Sequence, residues 1–234
     1  MRIGKFLQKF LLFPIALFFA VSLLIKVTNF PNYFGINRAD TEEKVIALTY
    51  DDGPSPSTNH LLDILDRYQV KATFFEIGRN IEKHSEIVPM IVARGHELAN
   101  HSYSHTDMMF KPREFLLSEI EKTDKLLQEL GVKQDSISFR PPFGRRCVVL
   151  SYLLSQMQKK LILWDVNSLD YETTTLTAED IANRVIDNVR SGSIVLMHDS
   201  GGDRSKTLAA TQVIVKTLQS KGYAFKTVSE LLKK

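Results

Sequence analysis

The chain has 234 residues, 44% hydrophobic and 24% charged, with no internal repeat and no low-complexity run. Its formal charge of +3 misleads, because Arg2, Lys5, Lys9 and Lys26 all flank one apolar stretch at the N-terminus; removing these four from the 30 basic residues leaves 26 against 27 acids. A near-neutral body has no electrostatic footprint for nucleic acid, and a single cysteine, Cys147, excludes an intramolecular disulfide and a Cys-rich zinc site.

Residues 10–25 form the apolar stretch, and residues 1–26 contain no acid. Three of the four flanking cations precede it, which predicts a cytoplasmic N-terminus and an exported body. Sixteen residues reach ~24 Å as a helix, the short end of a span, and Pro14 interrupts them. Ala20, Val21 and Ser22 are the nearest approach to a cleavage site. The expectation is therefore a membrane-targeting helix over 1–26, a signal-anchor or else a cleaved signal peptide, with the body membrane-anchored or secreted. Residues 27–43, with Pro31 and Gly35, read as a linker.

From residue 44 onward, short β-rich runs alternate with amphipathic helices. Strands are predicted at 45–49, 72–77, 97–99, 138–140, 161–166, 193–197 and 224–228. Helices are predicted after 54 (Leu61, Ile64, Leu65 and Tyr68 on one face), at 87–93, 113–130, 148–157, from Thr177 to 190, at 207–221 and at the C-terminus. Gly95, Gly131 and Gly222 are the stops, and Thr177 with Asp180 forms a capping box. Such alternation implies parallel strands joined by crossovers. The fold expected over 44–234 is α/β, a distorted (β/α) barrel of about seven parallel strands.

Every polar cluster follows the C-terminal end of a strand, the face that carries active sites in β/α barrels. In Thr49-Tyr50-Asp51-Asp52-Gly53-Pro54, two adjacent carboxylates resist burial unless partnered, and a metal would partner one of them; an ordinary Asp-Gly turn reads the same way. His101 and His105, four apart, suit one face of a helical turn and a shared metal, or two surface histidines. Arg140 precedes Pro141-Pro142 on a rigid extended backbone and suits a carboxylate. In 164–171, Asp170 is a candidate partner for a histidine, and Trp164 reads as core. The apolar run 194–197 delivers His198 into a polar loop, an acid/base placement. His60, His84 and His96 read as structural or solvated.

In this order the five segments resemble the polysaccharide deacetylase family, the NodB-homology domain of carbohydrate esterase family four, over residues 44–232. The resemblance implies that Asp52, His101 and His105 bind a divalent metal, usually zinc, with cobalt or another divalent ion as alternates. It further implies that Asp51 is the general base, Arg140 orients Asp51, and His198 is the general acid tuned by Asp170. Leu196 and Tyr171 would line the acetyl pocket, and the Phe143 N–H would help hold the oxyanion. The implied reaction is hydrolysis of the N-acetyl group of N-acetylglucosamine units, with release of acetate. Peptidoglycan, a chitin-like oligomer or an exopolysaccharide would be the substrate, and the membrane a second partner through the N-terminal helix. Tyr171 stands where the family most often has tryptophan, Asn167 where aspartate is common, and Tyr50 where phenylalanine is commoner. A membrane-tethered, non-catalytic sugar-binding homologue is the runner-up, but it would require loss from the acid/base set, and none is lost. Another metal-dependent hydrolase, such as a phosphoesterase, would often need two metals, and the sequence offers ligands for one.

Overall fold

The computed structural model describes residues 35–133, 137–172 and 174–233. β1 (Val45–Asp51) is buried along its whole length, as a strand covered on both faces must be. It is flanked by β2 (Thr73–Glu76) and β5 (Ile194–His198), with β3 (Glu97–Asn100) beyond β2 and β4 (Val166–Asn167) beyond β5. β6 (Ala224–Phe225) pairs with Val45 and Ile46 at the other end of β1. All these pairings are parallel.

Helices fill the crossovers: α1 (Pro56–Arg67), α2 (Gly78–Lys83), α3 (Ile87–Ala93), α4 (Arg113–Glu129), α5 (Val148–Gln156), α6 (Ala178–Ile186), α7 (Ser205–Ser220) and α8 (Val228–Leu231). α1 starts where it does because Ser55 and Thr58 cap each other's backbone and Pro56 occupies the first turn. The Thr177–Asp180 capping box opens α6 in the same way.

The two-residue period of β1 sorts its side chains. Ile46, Leu48 and Tyr50 join the core under the helices, with Leu61, Leu65, Ile214 and Leu218. Ala47 packs on the opposite face, with Phe75, Ile162 and Ile194. Thr49 and Asp51 follow Ala47 on that inner face. The register sets Asp51 opposite Phe75 and His198. The C-terminal ends of β1 and β5 therefore bring a carboxylate and an imidazole to one level.

Among the described residues the strand count is corrected from about seven to six. Residues 138–140 contribute only a bridging position at Phe139, paired with Asn100 and Leu161. Pro141 and Pro142 follow at once and have no N–H with which to extend a ladder. Residues 161–162 likewise make single bridges, Ile162 with Ile36. Between β3 and β4 the barrel is thus seamed by bridges rather than by a strand. Ile36 and Arg38, within the segment read as a linker, bridge to Ile162 and Ser193.

The expected membrane-spanning helix is also corrected. No helix among the described residues is long and apolar enough to cross a membrane. The longest, α4, has 17 residues and carries charge along its length (REFLLSEIEKTDKLLQE), which hydrocarbon would not accept. The stretch at 1–26 lies outside the described residues. The expected signal-anchor, membrane partner and membrane-anchored location are corrected with it.

Candidate active site

The site is built on the rim where β1, β3 and β5 end. Asp52 Oδ1 is buried and has no hydrogen-bond partner among the described residues. It lies 3.5 Å from His101 Nε2 and 3.2 Å from His105 Nε2. One ligand atom from each of Asp52, His101 and His105 falls within 4.8 Å of the others. On the far side of its ring, His101 Nδ1 lies 2.7 Å from the Arg140 carbonyl. A carbonyl only accepts, so Nδ1 carries the proton and the Nε2 lone pair faces the cluster. Burial pulls the pKa of His101 down to about 3, so the ring stays neutral, the state a ligand needs. An unpartnered carboxylate oxygen facing imidazole nitrogens is an arrangement that a cation stabilises, and the donor set fits a divalent metal.

The two histidines do not share a helical turn. His101 follows the last residue of β3, and residues 101–105 form a loop in which Ser102 and His105 take φ of 66° and 57°. Side chains impose this path: Asn100 Oδ1 accepts from the Ser102 N–H, Ser102 Oγ from the His105 N–H, and Glu119 from the N–H groups of Tyr103 and Ser104. The rings still converge, their centroids 5.1 Å apart.

Asp51 is 3% exposed. Burial raises its pKa, and Arg140 partly opposes that. Arg140 is no surface residue: it is fully buried. Its Nη1 donates to Asp51 Oδ1 at 2.6 Å and to Thr49 Oγ1 at 2.8 Å, and its Nη2 donates to the Leu163 carbonyl. The Phe75 ring lies 3.9 Å beneath the guanidinium. Asp51 Oδ2 comes within 3.6 Å of His101 Nε2, so the second carboxylate stands beside the cluster.

His198 sits in the same cleft, its Nδ1 2.7 Å from Asp170 Oδ1. Asp170 also accepts from the His198 N–H at 2.8 Å and from Thr207 Oγ1 at 2.9 Å. Burial works to lower the pKa of His198, but the bond to Asp170 and its charge outweigh burial, and the net shift is upward. For Asp170, burial acts upward, and the bonds from His198 and Thr207 more than reverse it.

The cleft, about 430 Å³, is lined by all ten residues singled out from the sequence except Arg140 and Asp170, which stand behind it. Tyr171 meets His198 edge-on at 5.6 Å and is 46% exposed. Leu196 lines the floor. Trp164, read as core, is a wall: its ring lies against Gly144, where a Cβ would meet Cη2 at 2.7 Å. Sequence reasoning also missed Arg204, Thr207 and Glu76. Arg204 holds the Ser200 and Gly201 carbonyls and that of Asp170. Glu76 lies under the Asp51–Asp52–Gly53 bend with both carboxyl oxygens unpartnered among the described residues. Burial, then the charge of Asp199, pushes its pKa well above the ordinary carboxylate value. Gly53 has no room for a side chain, since a Cβ would come within 2.7 Å of Glu76 and 2.6 Å of Asp199. A buried polar residue inside an apolar run such as Thr73–Glu76 was the one signal that could have exposed Glu76.

The chain was compared with known proteins. The polysaccharide deacetylase family model matches residues 38–162. A peptidoglycan-N-acetylglucosamine deacetylase of Bacillus cereus is 37% identical over 192 residues, covering 82% of this chain and 89% of the relative. The peptidoglycan-N-acetylmuramic acid deacetylase PdaC of Bacillus subtilis is 34% identical, over 82% of this chain but only 39% of its own length. Among solved structures, the Bc1960 peptidoglycan N-acetylglucosamine deacetylase superposes with a TM-score of 0.79 at 31% identity, covering 84% of this chain and 91% of that one. The model match spans β1 through the Arg140 segment, and these relatives extend the likeness over most of the remainder: the chain belongs to the polysaccharide deacetylase family.

Proposed function

We propose that the protein is a metal-dependent deacetylase that hydrolyses the N-acetyl group of N-acetylglucosamine units in a cell-envelope polysaccharide. The observation that carries this reading is the convergence of Asp52, His101 and His105 within 4.8 Å, with Asp51 beside them and His198 in the same cleft. Family membership and relatives named as deacetylases support it. Two imidazoles and one carboxylate suit zinc, with cobalt as an alternate. A divalent cation held there supplies Lewis acidity, activating water and polarising a carbonyl.

This chain's own residues do the rest. Asp51, fixed by Arg140, takes the proton of the attacking water. Phe143, on a backbone with φ of 60° and lining the cleft, is assigned the N–H that meets the charge developing on the carbonyl oxygen. His198, whose pKa the bond to Asp170 and its charge raise, gives its Nε2 proton to the departing amine. Leu196 and Tyr171 enclose the acetyl methyl.

The test is acetate release by full-length protein, stripped of metal and reloaded with zinc, on peptidoglycan, a chitin oligomer and an exopolysaccharide. Turnover on at least one, lost on stripping, is expected. A zinc-loaded protein that releases acetate from none of them overturns the reading.

A further inference from the structure

Behind the histidine loop, two charged side chains pair where apolar ones would pack. Lys159, between α5 and the bridged segment at Leu161, is 6% exposed. Its Nζ lies 2.7 Å from Asp124 Oδ2 on α4 and donates to the Ile137 carbonyl at 2.9 Å. Asp124 Oδ1 in turn accepts from Nδ2 of Asn100, the fully buried last residue of β3, at 2.8 Å. Neither Lys159 nor Asp124 lines the catalytic cleft. A buried ion pair seldom recovers its desolvation cost, and apolar residues of similar volume often serve stability as well or better. Stability therefore does not account for the pair.

Geometry does. The Asn100 side chain could turn either its oxygen or its nitrogen toward Ser102. Asp124 Oδ1 and the Ile120 carbonyl only accept, and Nδ2 lies 2.8 and 2.9 Å from them, so the NH2 group must face that way. Oδ1 is thereby left to accept the Ser102 N–H, and Ser102 Oγ accepts the His105 N–H at 3.1 Å. Both residues have positive φ, a backbone path that persists only when its neighbours impose it. A charged carboxylate holds the amide about twice as strongly as a neutral acceptor would. The Lys159 bond to Ile137 reaches the other side of the site, because residues 137–140 end in Arg140, whose carbonyl meets His101 Nδ1.

We propose that Lys159 and Asp124 are positioning residues for the metal site: acting through the Asn100 amide, they lock the loop that carries His101 and His105. The pair then sets metal affinity and leaves global stability little changed. The inference rests on the reading of Asp52, His101 and His105 as metal ligands. It goes beyond that reading by assigning the geometry of two ligands to an ion pair outside the cleft.

The test uses full-length protein and the double variant Lys159→Met/Asp124→Leu, which removes both charges at once and strands neither. Calorimetric zinc titration should show Kd about tenfold higher in the variant, with the melting temperature of the metal-free protein little changed. The visible absorption spectrum of the cobalt-loaded variant should differ from that of the native protein, and kcat should fall while KM stays. Leu218→Ala, a cavity in the fully buried face of α7, supplies the baseline: it should lower the melting temperature and leave zinc Kd as it is. In an Asn100→Leu background the double variant should add nothing further to Kd, because the amide through which the pair acts is gone. A folded double variant with native Kd and native cobalt spectrum overturns the proposal, as does a Kd that rises equally in Leu218→Ala or additively with Asn100→Leu. If the double variant does not fold, Lys159→Gln is titrated instead; a rise in Kd of about twofold or more supports the proposal, and an unchanged Kd overturns it. Metal binding without acetate release from any substrate sinks the deacetylase reading and leaves the titration to decide the pair. If the native protein binds neither zinc nor cobalt, the ligand reading itself fails, and hydrogen exchange decides: the Ser102 amide should exchange about tenfold faster in the double variant, and equal exchange overturns the lock.

Discussion

Replacing Asp170 by asparagine isolates what a single negative charge does for His198. The amide matches the carboxylate in shape and its oxygen can still accept from Nδ1–H, so the ring need not turn. What disappears is the charge, and with the amide nitrogen in the place of Oδ2 the bond accepted there from the His198 backbone N–H is lost as well. A hydrogen bond to a charged group contributes ~1.5–3 kcal/mol against ~1 kcal/mol for a neutral one. The difference favouring imidazolium is therefore ~0.5–2 kcal/mol, or about one pKa unit. The sign follows directly. His198 acts as an acid, so its active form exists below its pKa and is lost as pH rises through it. Asp170 holds that pKa above the ordinary imidazole value. Its neutralisation should move the alkaline limb of kcat/KM about one unit toward lower pH and reduce kcat above neutrality by about tenfold or more. The assay is acetate release across a pH series, with circular dichroism to show that the fold is kept. An alkaline limb that stays in place, or moves upward, in a folded Asp170→Asn protein refutes the acid assignment.

Three further outcomes are expected. Asp51→Asn should retain metal, measured by elemental analysis, while turnover falls by about 10²–10⁴, because Asp51 is not among the three converging ligands. His101→Ala should weaken metal binding and also remove the melting-temperature gain that added zinc gives the native protein, since a ligand that binds only the folded state stabilises it. Arg140→Met leaves Asp51 buried without its cation, so unfolding in urea should show a loss of ~3–5 kcal/mol; a loss below 1 kcal/mol would show that Asp51 had simply taken up a proton at little cost.

The positions of the chemistry were legible in the sequence because a parallel strand exposes its C-terminal end, and a polar residue placed there reaches the rim. Asp51 after Val45-Ile46-Ala47-Leu48 and His198 after Ile194-Val195-Leu196-Met197 both follow that rule, and the ladder pairs them. The His101–His105 pair was legible as a pair but not as a shape. Spacing of four suggested a helical turn, whereas the hydrogen bonds from Asn100, Ser102 and Glu119 that bend the loop come from side chains whose role no local pattern announces. Arg140 illustrates the limit in another way. A lone arginine beside prolines is most economically placed in solvent, and only the tertiary fold, which brings Thr49, Asp51 and the Leu163 carbonyl around it, makes burial of its charge tolerable. The seventh strand failed for a local reason that was readable: Pro141-Pro142 forbids it.

Arg140 also explains why the base, the ligand and the fold are not independent. Its side chain fixes Asp51, and its own backbone carbonyl fixes the tautomer of His101. A shift of this one residue would therefore move the proton acceptor and rotate a metal ligand together. The surrounding backbone is already strained: Asp52, Ser102, His105 and Phe143 all have positive φ without being glycine, each costing of order 1 kcal/mol or more. Strain of that kind persists only where the neighbours leave no relaxed alternative. Here the Arg140 bonds at the base of the cleft, and the Asn100 and Glu119 bonds behind the histidine loop, remove the alternatives. The rigidity that holds three ligands within 4.8 Å, with no hydrogen bond on Asp52 Oδ1 among the described residues, thus comes from buried polar contacts, including the Glu119 bonds from α4, rather than from the apolar core. Changes to those contacts should perturb metal affinity and base strength together, even where the ligands themselves are untouched.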